Sequence, residues 1–318
     1  MGKYVLKRLL MLIPVILGVV LIVFTILRMS PNDPIRTILG DMASQAEVDA
    51  MREEVGLNDP FVVQFFNYVK NIVTKFDFGV SWVNGHDIVE EIGDRFSVTV
   101  QLAILSTLVA GLVGIPLGII CAVKQYSLLD NFCMVIALIF LAIPGFWMAL
   151  MLIVQFALKW RLFPPSGFYG IEYRVLPVLS EGLSCVAGIL RTTRSNMLEV
   201  IRQDYIRTAR AKGLSESTVI IKHALRNALI PVVTLMGMQF GKMLGGVFVL
   251  ETVFAIPGLG KMLVDACSIK NIPVVQGGVI FIAVIYGVVN LAVDLVYGMV
   301  DPRIFAAFKK SGGKKSGT

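Results

Sequence analysis

The sequence predicts an all-α membrane protein with six transmembrane helices and both termini in the cytoplasm. Three observations lead there. Mean hydropathy is +0.77, and charged residues are only 16% of the 318, against about 25% in soluble domains. Several apolar runs approach or exceed the roughly 20 residues that cross a bilayer as a helix. The lysines and arginines cluster at the ends of those runs, as expected when they set orientation.

The first span is expected at about Leu9–Leu27, within MGKYVLKRLLMLIPVILGVVLIVFTILR. Its basic start and apolar core mimic a secretory signal, but the apolar part is long and no small-x-small cleavage site follows it. An uncleaved helix fits better. Residues 29–96 form a large outer loop with twelve acids and apolar patterns such as DPFVVQFFNYVKNIV, which predict amphipathic helices on the outer face. The second span lies near Val98–Val123 and the third near Phe132–Leu158. A weaker fourth, near Val175–Leu190, is interrupted by Glu181, Gly182 and Ser184. The fifth is placed near Leu229–Leu250 and the sixth near Gly277–Val300.

Charge supports the fourth span. With six spans, 17 of the 29 basic residues fall on the inner side with only five acids. Removing the span would move the eight around Arg210 outside, against the positive-inside rule. The organisation is therefore residues 1–28 as N-terminus and first helix, 29–96 as the extracytoplasmic loop, 97–303 as the membrane core with a cytoplasmic segment 195–228, and 304–318 as a basic tail.

The net charge of +7 sits beside membrane spans rather than on a soluble domain, and no nucleic-acid recognition module occurs. Cys121, Cys133, Cys185 and Cys267 include no C-x-x-C pair and read as small packing residues. His86 and His223 lie apart, without a ligand cluster, so no metal site is expected. Gly114 and Gly118, like Gly241 and Gly245, share a helix face at the spacing that lets backbones approach closely. No G-x-x-x-x-G-K-[ST] nucleotide-binding loop occurs.

The charged island DYIRTARAKGLSES, Asp204–Ser217, stands out in this apolar chain. Met197, Val200, Ile201 and Tyr205 recur at helical spacing, and Val219, Ile220, His223, Ala224 and Asn227 form a second pattern. Gly213 suits a left-handed stop and Ser215 an N-cap. Helix, tight turn and helix follow, with short apolar faces exposed on the cytoplasmic side. Two readings stay open from the residues alone: a surface helix on anionic headgroups, or a rigid knob for a cytoplasmic partner.

YIRTARAKGLSESTVIIKHALRNALIPVV resembles the EAA-type loop of ATP-binding-cassette importer permeases, in the form found in the dipeptide, oligopeptide and nickel permease family. The general triplet falls on Arg207, Thr208 and Ala209, of which only the alanine is kept, a departure that this branch shares. Collinear similarity extends over nearly the whole chain, through YVLKRLLMLIPVILGV, SPNDP, GLNDPFVVQFFNYV, FDFGVS, AIPGFWMA, ETVFAIPGLG and VDLVYGMVDPR.

The resemblance implies the type I importer permease fold and a transporter of two permeases, two ATP-binding subunits that hold ATP and Mg, and an extracytoplasmic solute-binding protein. This chain would be the first of the two permeases, with no cofactor of its own and no enzymatic activity. Tyr205, Ile206, Arg207, Thr208, Ala209, Arg210, Ala211, Lys212, Gly213, Leu214 and Ser215 would form the coupling helix seated in an ATPase cleft. The substrate would be a di- or oligopeptide, with nickel or a metal chelate as the alternative.

Charges inside spans are costly and face bundle interiors or watery paths. Glu181, Lys242 and Asp294 are candidates, either as an ion pair of Lys242 with Asp294 or Glu181, or as lining of the translocation path. A self-sufficient ion-coupled transporter using Lys242 and Asp294 is the reading from another class. In ETVFAIPGLG, Glu251 opens a turn whose backbone is tightened by Pro257, Gly258 and Gly260. This turn is either a re-entrant element facing the binding protein or a plain surface loop.

Overall fold

Backbone polar groups have no water to bond with inside a bilayer, so spanning segments must satisfy them internally. In the computed structural model, which describes residues 2–29, 33–40, 42–245 and 247–300, the chain does so by helices. Among the described residues the only β-contact is an isolated bridge between Val80 and Asp87. The basic tail expected over 304–318 lies outside the described residues.

The helices, in order, are α1 (Gly2–Arg28), α2 (Pro34–Leu39), α3 (Gln45–Glu54), α4 (Phe61–Lys75), α5 (Ile88–Val123), α6 (Leu128–Ala142), α7 (Gly145–Leu152), α8 (Ile171–Ile201), α9 (Asp204–Ala211), α10 (Glu216–Thr218), α11 (Leu225–Leu244), α12 (Phe248–Val253), α13 (Leu259–Ser268) and α14 (Ile272–Val300). A π-helical turn, Ile153–Lys159, extends α7, and another, Val219–Ala224, joins α10 to α11. Among the described residues five helices are long and apolar enough to cross a membrane, or six when the bent pair Leu128–Ala142 and Gly145–Lys159 is taken as one span.

The expected third span is present as a bent pair whose halves meet at 102°. Pro144 forces the preceding residue out of the helical region, and Ile143 is extended at φ −78°, ψ 125°. The fourth span is not interrupted, because α8 runs unbroken for 31 residues through Glu181, Gly182 and Ser184. Packing supplies what local propensity lacks, since Leu176, Cys185, Ile189, Leu190 and Met197 are all buried. The fifth span ends at Leu244, short of Leu250.

The chain divides into two compact units. One comprises Gly2–Val100 and Leu244–Gly287. It contains the short helices α2, α3 and α4, which the apolar pattern anticipates. Asp33 caps α2 by accepting from the Ile35 N–H, and Ser44 forms a reciprocal capping box with Glu47 at α3. Phe24 of α1 is buried in edge-to-face contact with Phe61 and Phe65 of α4, at 5.2 and 5.6 Å between centroids.

The other unit comprises Gln101–Met243 and the chain from Val288. Here α5 and α8 approach closely at Gly114 and Gly118. A Cβ on Gly118 would stand 2.6 Å from the Thr193 Cβ and 2.8 Å from the Leu190 carbonyl oxygen, so the expected small-residue seam is real. A buried ion pair that the apolar pattern hid joins α6 to α8. Arg194 donates through Nε and Nη2 to Asp130 Oδ1 and Oδ2 at 2.6 and 2.7 Å. Asp130 Oδ2 also accepts from the Tyr126 N–H, and the Asp130 N–H donates to Ser127 Oγ. The carboxylate is thus fully engaged, as a buried charge requires.

Gly118→Ala should lower stability by about 1–3 kcal/mol through overpacking. Gly188→Ala, whose new methyl meets nothing within 4 Å, should be neutral or slightly stabilising; thermal unfolding of the two variants in detergent compares them. Asp130→Asn should cost about 3 kcal/mol, the low end for breaking a buried pair, because Arg194 keeps 19% of its side chain accessible. Unchanged unfolding of this variant would show the pair to be dispensable.

Candidate functional site

The charged island forms a helix, a left-handed glycine turn and a second helix. Tyr205, Ile206, Arg207, Thr208, Ala209, Arg210 and Ala211 lie on α9, and Lys212 closes it with its N–H donating to the Thr208 carbonyl. Gly213 has φ +76°, the conformation anticipated for the stop. Leu214 is exposed, and Ser215 caps the next helix by accepting from the Thr218 N–H. Arg210 spans the turn with a two-pronged bond to Glu216, Nε to Oε2 at 3.0 Å and Nη2 to Oε1 at 2.6 Å. That partner holds the Arg210 guanidinium above its ordinary range.

The side on which this element spends its apolar residues corrects the expectation of exposed apolar faces. Ile206 and Ala209, one turn apart, are buried in a cluster with Ala122, Met197, Val219, Ile220 and Ala224. Tyr205 is fixed through its hydroxyl, which accepts from Asn227 Nδ2 at 2.7 Å. Arg207, Thr208, Arg210, Lys212, Gly213 and Ser215 remain exposed. The result is a knob with a dry inner side and a polar, basic outer side. The π-helical turn after it and the Asn227 bond had no signature in the sequence beyond helical periodicity.

The intramembrane residues are less tightly gathered. Glu181 on α8 is half-buried, Lys242 on α11 is exposed, and Asp294 on α14 is half-buried. Cys185 lies one turn from Glu181 on α8, and a Glu181–Lys242 bond is not among the ion pairs of the described residues.

The turn after the fifth span is organised around a buried carboxylate. Glu251 has no accessible surface. Its Oε1 accepts from the Thr99 hydroxyl at 2.7 Å, and its Oε2 accepts from the Lys261 N–H at 2.9 Å. Thr99 Oγ1 in turn accepts from the Leu259 N–H at 2.9 Å. Amides that open α13 and would otherwise be orphaned are therefore capped by residues from α5 and α12. Gly258 and Gly260 make this possible: a Cβ on Gly258 would fall 2.3 Å from the Glu251 carboxyl carbon, and one on Gly260 2.7 Å from the Phe248 Cα. Glu251, Gly258 and Gly260 are buried and Pro257 is half-buried, so the carboxylate itself does not face a partner. Beside the turn a cavity of about 310 Å³ is lined in part by Glu91, Arg95, Lys261 and Asp265.

Burial raises the Glu251 carboxyl above the ordinary carboxylate range, partly offset by the Thr99 hydroxyl and the α13 amides. The folded state therefore holds this proton more tightly than the unfolded chain. Its contribution is greatest at low pH and declines as pH climbs from the usual carboxylate range through the raised folded value. Melting temperature measured against pH should contain this falling component, and Glu251→Gln should lack it. Superimposable profiles would show that Glu251 ionises freely.

Comparison with known proteins follows the same lines. The family described as "Binding-protein-dependent transport system inner membrane component" matches residues 114–306, and the model for its N-terminal part matches residues 1–103. The chain is 39% identical over 332 residues to the "Dipeptide transport system permease protein DppB" of Alkalihalophilus pseudofirmus, covering 96% of this chain and 99% of the relative. It is 40% identical over 304 residues to the "Glutathione transport system permease protein GsiC" of Escherichia coli (strain K12), with the same coverage. A third relative, the "Oligopeptide transport system permease protein AppB" of Bacillus subtilis, is 40% identical over 315 residues, again at 96% and 99%. Among solved structures, the inward-facing MetNI methionine ABC transporter aligns with a TM-score of 0.54 at 17% identity, over 67% of this chain and 97% of that one. An amino acid ABC transporter aligns at 0.50 and 15% identity, over 68% and 94%. These two likenesses concern the fold. With both parts of the family model matched along a many-helix membrane chain, the protein belongs to the inner-membrane components of binding-protein-dependent transport systems, the permease subunits of ABC importers.

Proposed function

We propose that this permease carries di- or oligopeptides, forms half of a translocation path with a second homologous permease, and is driven through Tyr205–Ser215 by two cytoplasmic ATP-binding subunits. The observation that carries the coupling assignment is the inward burial of Ile206 and Ala209. A helix lying on lipid would turn that stripe to the acyl chains; here the stripe is spent on the chain's own packing, and a rigid polar surface is left for a protein partner. Gly213 permits the left-handed turn, and the Arg210–Glu216 fork braces it, as an element transmitting a push requires.

The peptide reading is supported by the relatives, whose names specify dipeptide, glutathione and oligopeptide transport. These favour it over nickel or a metal chelate. ATP and Mg belong on the partner subunits. An extracytoplasmic solute-binding protein would deliver the peptide to the outer side, where residues 29–96 lie and where the 251–260 turn presents Ala255 and Pro257 rather than its buried carboxylate. Segment 195–228 and both termini are assigned to the cytoplasm of a bacterial or archaeal cell by the distribution of basic residues. In this reading Glu181, Lys242 and Asp294 line or stiffen the path.

The test uses the assembled importer in vesicles, with labelled dipeptide outside and ATP supplied to the ATPase side. Gly213→Pro, and the double reversal Arg207→Glu with Arg210→Glu, should each lower uptake on the order of tenfold, equivalent to about 1.4 kcal/mol of lost coupling, while uncoupling hydrolysis from transport. Uptake and stimulated hydrolysis at parental levels would refute the coupling role. Uptake that proceeds without the ATPases would favour a self-sufficient ion-coupled carrier instead.

A further inference from the structure

Helix α4, Phe61–Lys75, divides its circumference into three sectors. Phe65, Tyr68 and Ile72, at i, i+3 and i+7, pack against the core around Val20, Phe78 and Ile88. Asn67, Lys70, Asn71 and Thr74, also at helical spacing, form an exposed polar sector. Between the two runs a third row, Val62, Phe66 and Val73, at i, i+4 and i+11. This row is apolar and uncovered, with Phe66 65% and Val73 77% exposed. A surface helix needs one apolar stripe for its core and a polar side for water. The second apolar row answers to neither.

Helix α1 sets the depth of this row. Its apolar span is the 21 residues Arg8–Arg28, about 31 Å at 1.5 Å per residue, which matches the hydrocarbon thickness of a bilayer. Phe24 lies four residues before Arg28, about 6 Å inside that end of the span. The Phe24 ring is buried against Phe61 and Phe65, in the first turns of α4, at 5.2 and 5.6 Å between centroids. The start of α4 is therefore held where hydrocarbon gives way to headgroups. Ile22 and Ile26 of the same stretch of α1 remain exposed, so acyl chains reach the helix that α4 touches.

We propose that α4 is an interfacial helix whose Val62, Phe66 and Val73 row is immersed in the acyl chains of the leaflet at the Arg28 end of α1. Asn67, Lys70 and Asn71 then face headgroups and water. An apolar row bordered by amides and a lysine suits shallow immersion, since the polar sector would be costly at the bilayer centre. Lys70, one turn on from Phe66, can lay its stem along the row and send its ammonium to the phosphates. A soluble partner approaches from water and must return to it, so it does not cover an apolar row at hydrocarbon depth. The inference is independent of the transported substrate and needs only that α1 crosses a bilayer.

The test places the photoreactive residue p-benzoylphenylalanine at Phe66 or, for comparison, at Asn67 in the full chain. Each variant is reconstituted in vesicles of isotope-labelled phosphatidylcholine, irradiated and weighed intact. Phospholipid adducts should be several-fold more abundant with the probe at Phe66 than at Asn67. The same probe at Val73 should behave as at Phe66, and it keeps the test available if the first variant does not fold. Equal adduct yields from the apolar and polar sectors would overturn the assignment. Covalent dimers formed from Phe66 would also overturn it, by showing a second copy of the chain on the row. In the assembled importer with its binding protein the Phe66 adducts should stay on lipid, and their transfer to another subunit would refute the proposal.

Discussion

The Asp130–Arg194 clasp is the interaction on which the core unit depends. A carboxylate without accessible surface must have each oxygen engaged or it will not stay ionised, and this one is held by a guanidinium fork and a backbone amide. The pair fixes where α6 starts and which way α8 leaves, and α8 runs on for seven residues to Ile201 before the chain turns into α9. The position of the basic knob is thus set by a pair of charges buried within the chain itself. Close contact at Gly114 and Gly118 complements it, since α5 can lie against α8 only where no Cβ intervenes.

The two special turns of the molecule use glycine for opposite ends. At Gly213 the residue supplies a left-handed backbone in open space, with nothing within 4 Å of an added methyl, so its conformation is what matters. At Gly258 and Gly260 the residues supply proximity, letting a buried carboxylate and a threonine hydroxyl cap the start of α13. The first arrangement leaves polar side chains outward. The second draws them inward and makes a stiff corner.

Much of this architecture was legible in the sequence because it rests on composition and period. Apolar runs gave the spans, charge bias gave a reason to keep the fourth, and Gly213 and Ser215 announced the turn and the cap. Contacts between distant residues were not legible. Nothing near Thr99 signals that it will bond Glu251, 152 residues later, and Asp130 and Arg194 look like ordinary flanking charges until the fold brings them together. The interruption assigned to Glu181, Gly182 and Ser184 came from local propensity, which burial along α8 overrides. The direction faced by Ile206 and Ala209 was equally hidden, because periodicity reveals a stripe and not what covers it.

The corner at Ile143 and Pro144 has a consequence for solvation. Helix α6 has 15 residues, about 22 Å at 1.5 Å per residue, less than the roughly 30 Å of hydrocarbon. A helix entering from one face therefore ends before it reaches the other. Its last carbonyls lose their helical donors at that depth, apart from Ile139, which accepts from the Ile143 N–H. Acyl chains cannot replace those donors. The exposed Phe146 and Trp147 beside the corner thus border a region that lipid cannot wet unaided, and the assembled transporter must seal it with protein or with trapped water.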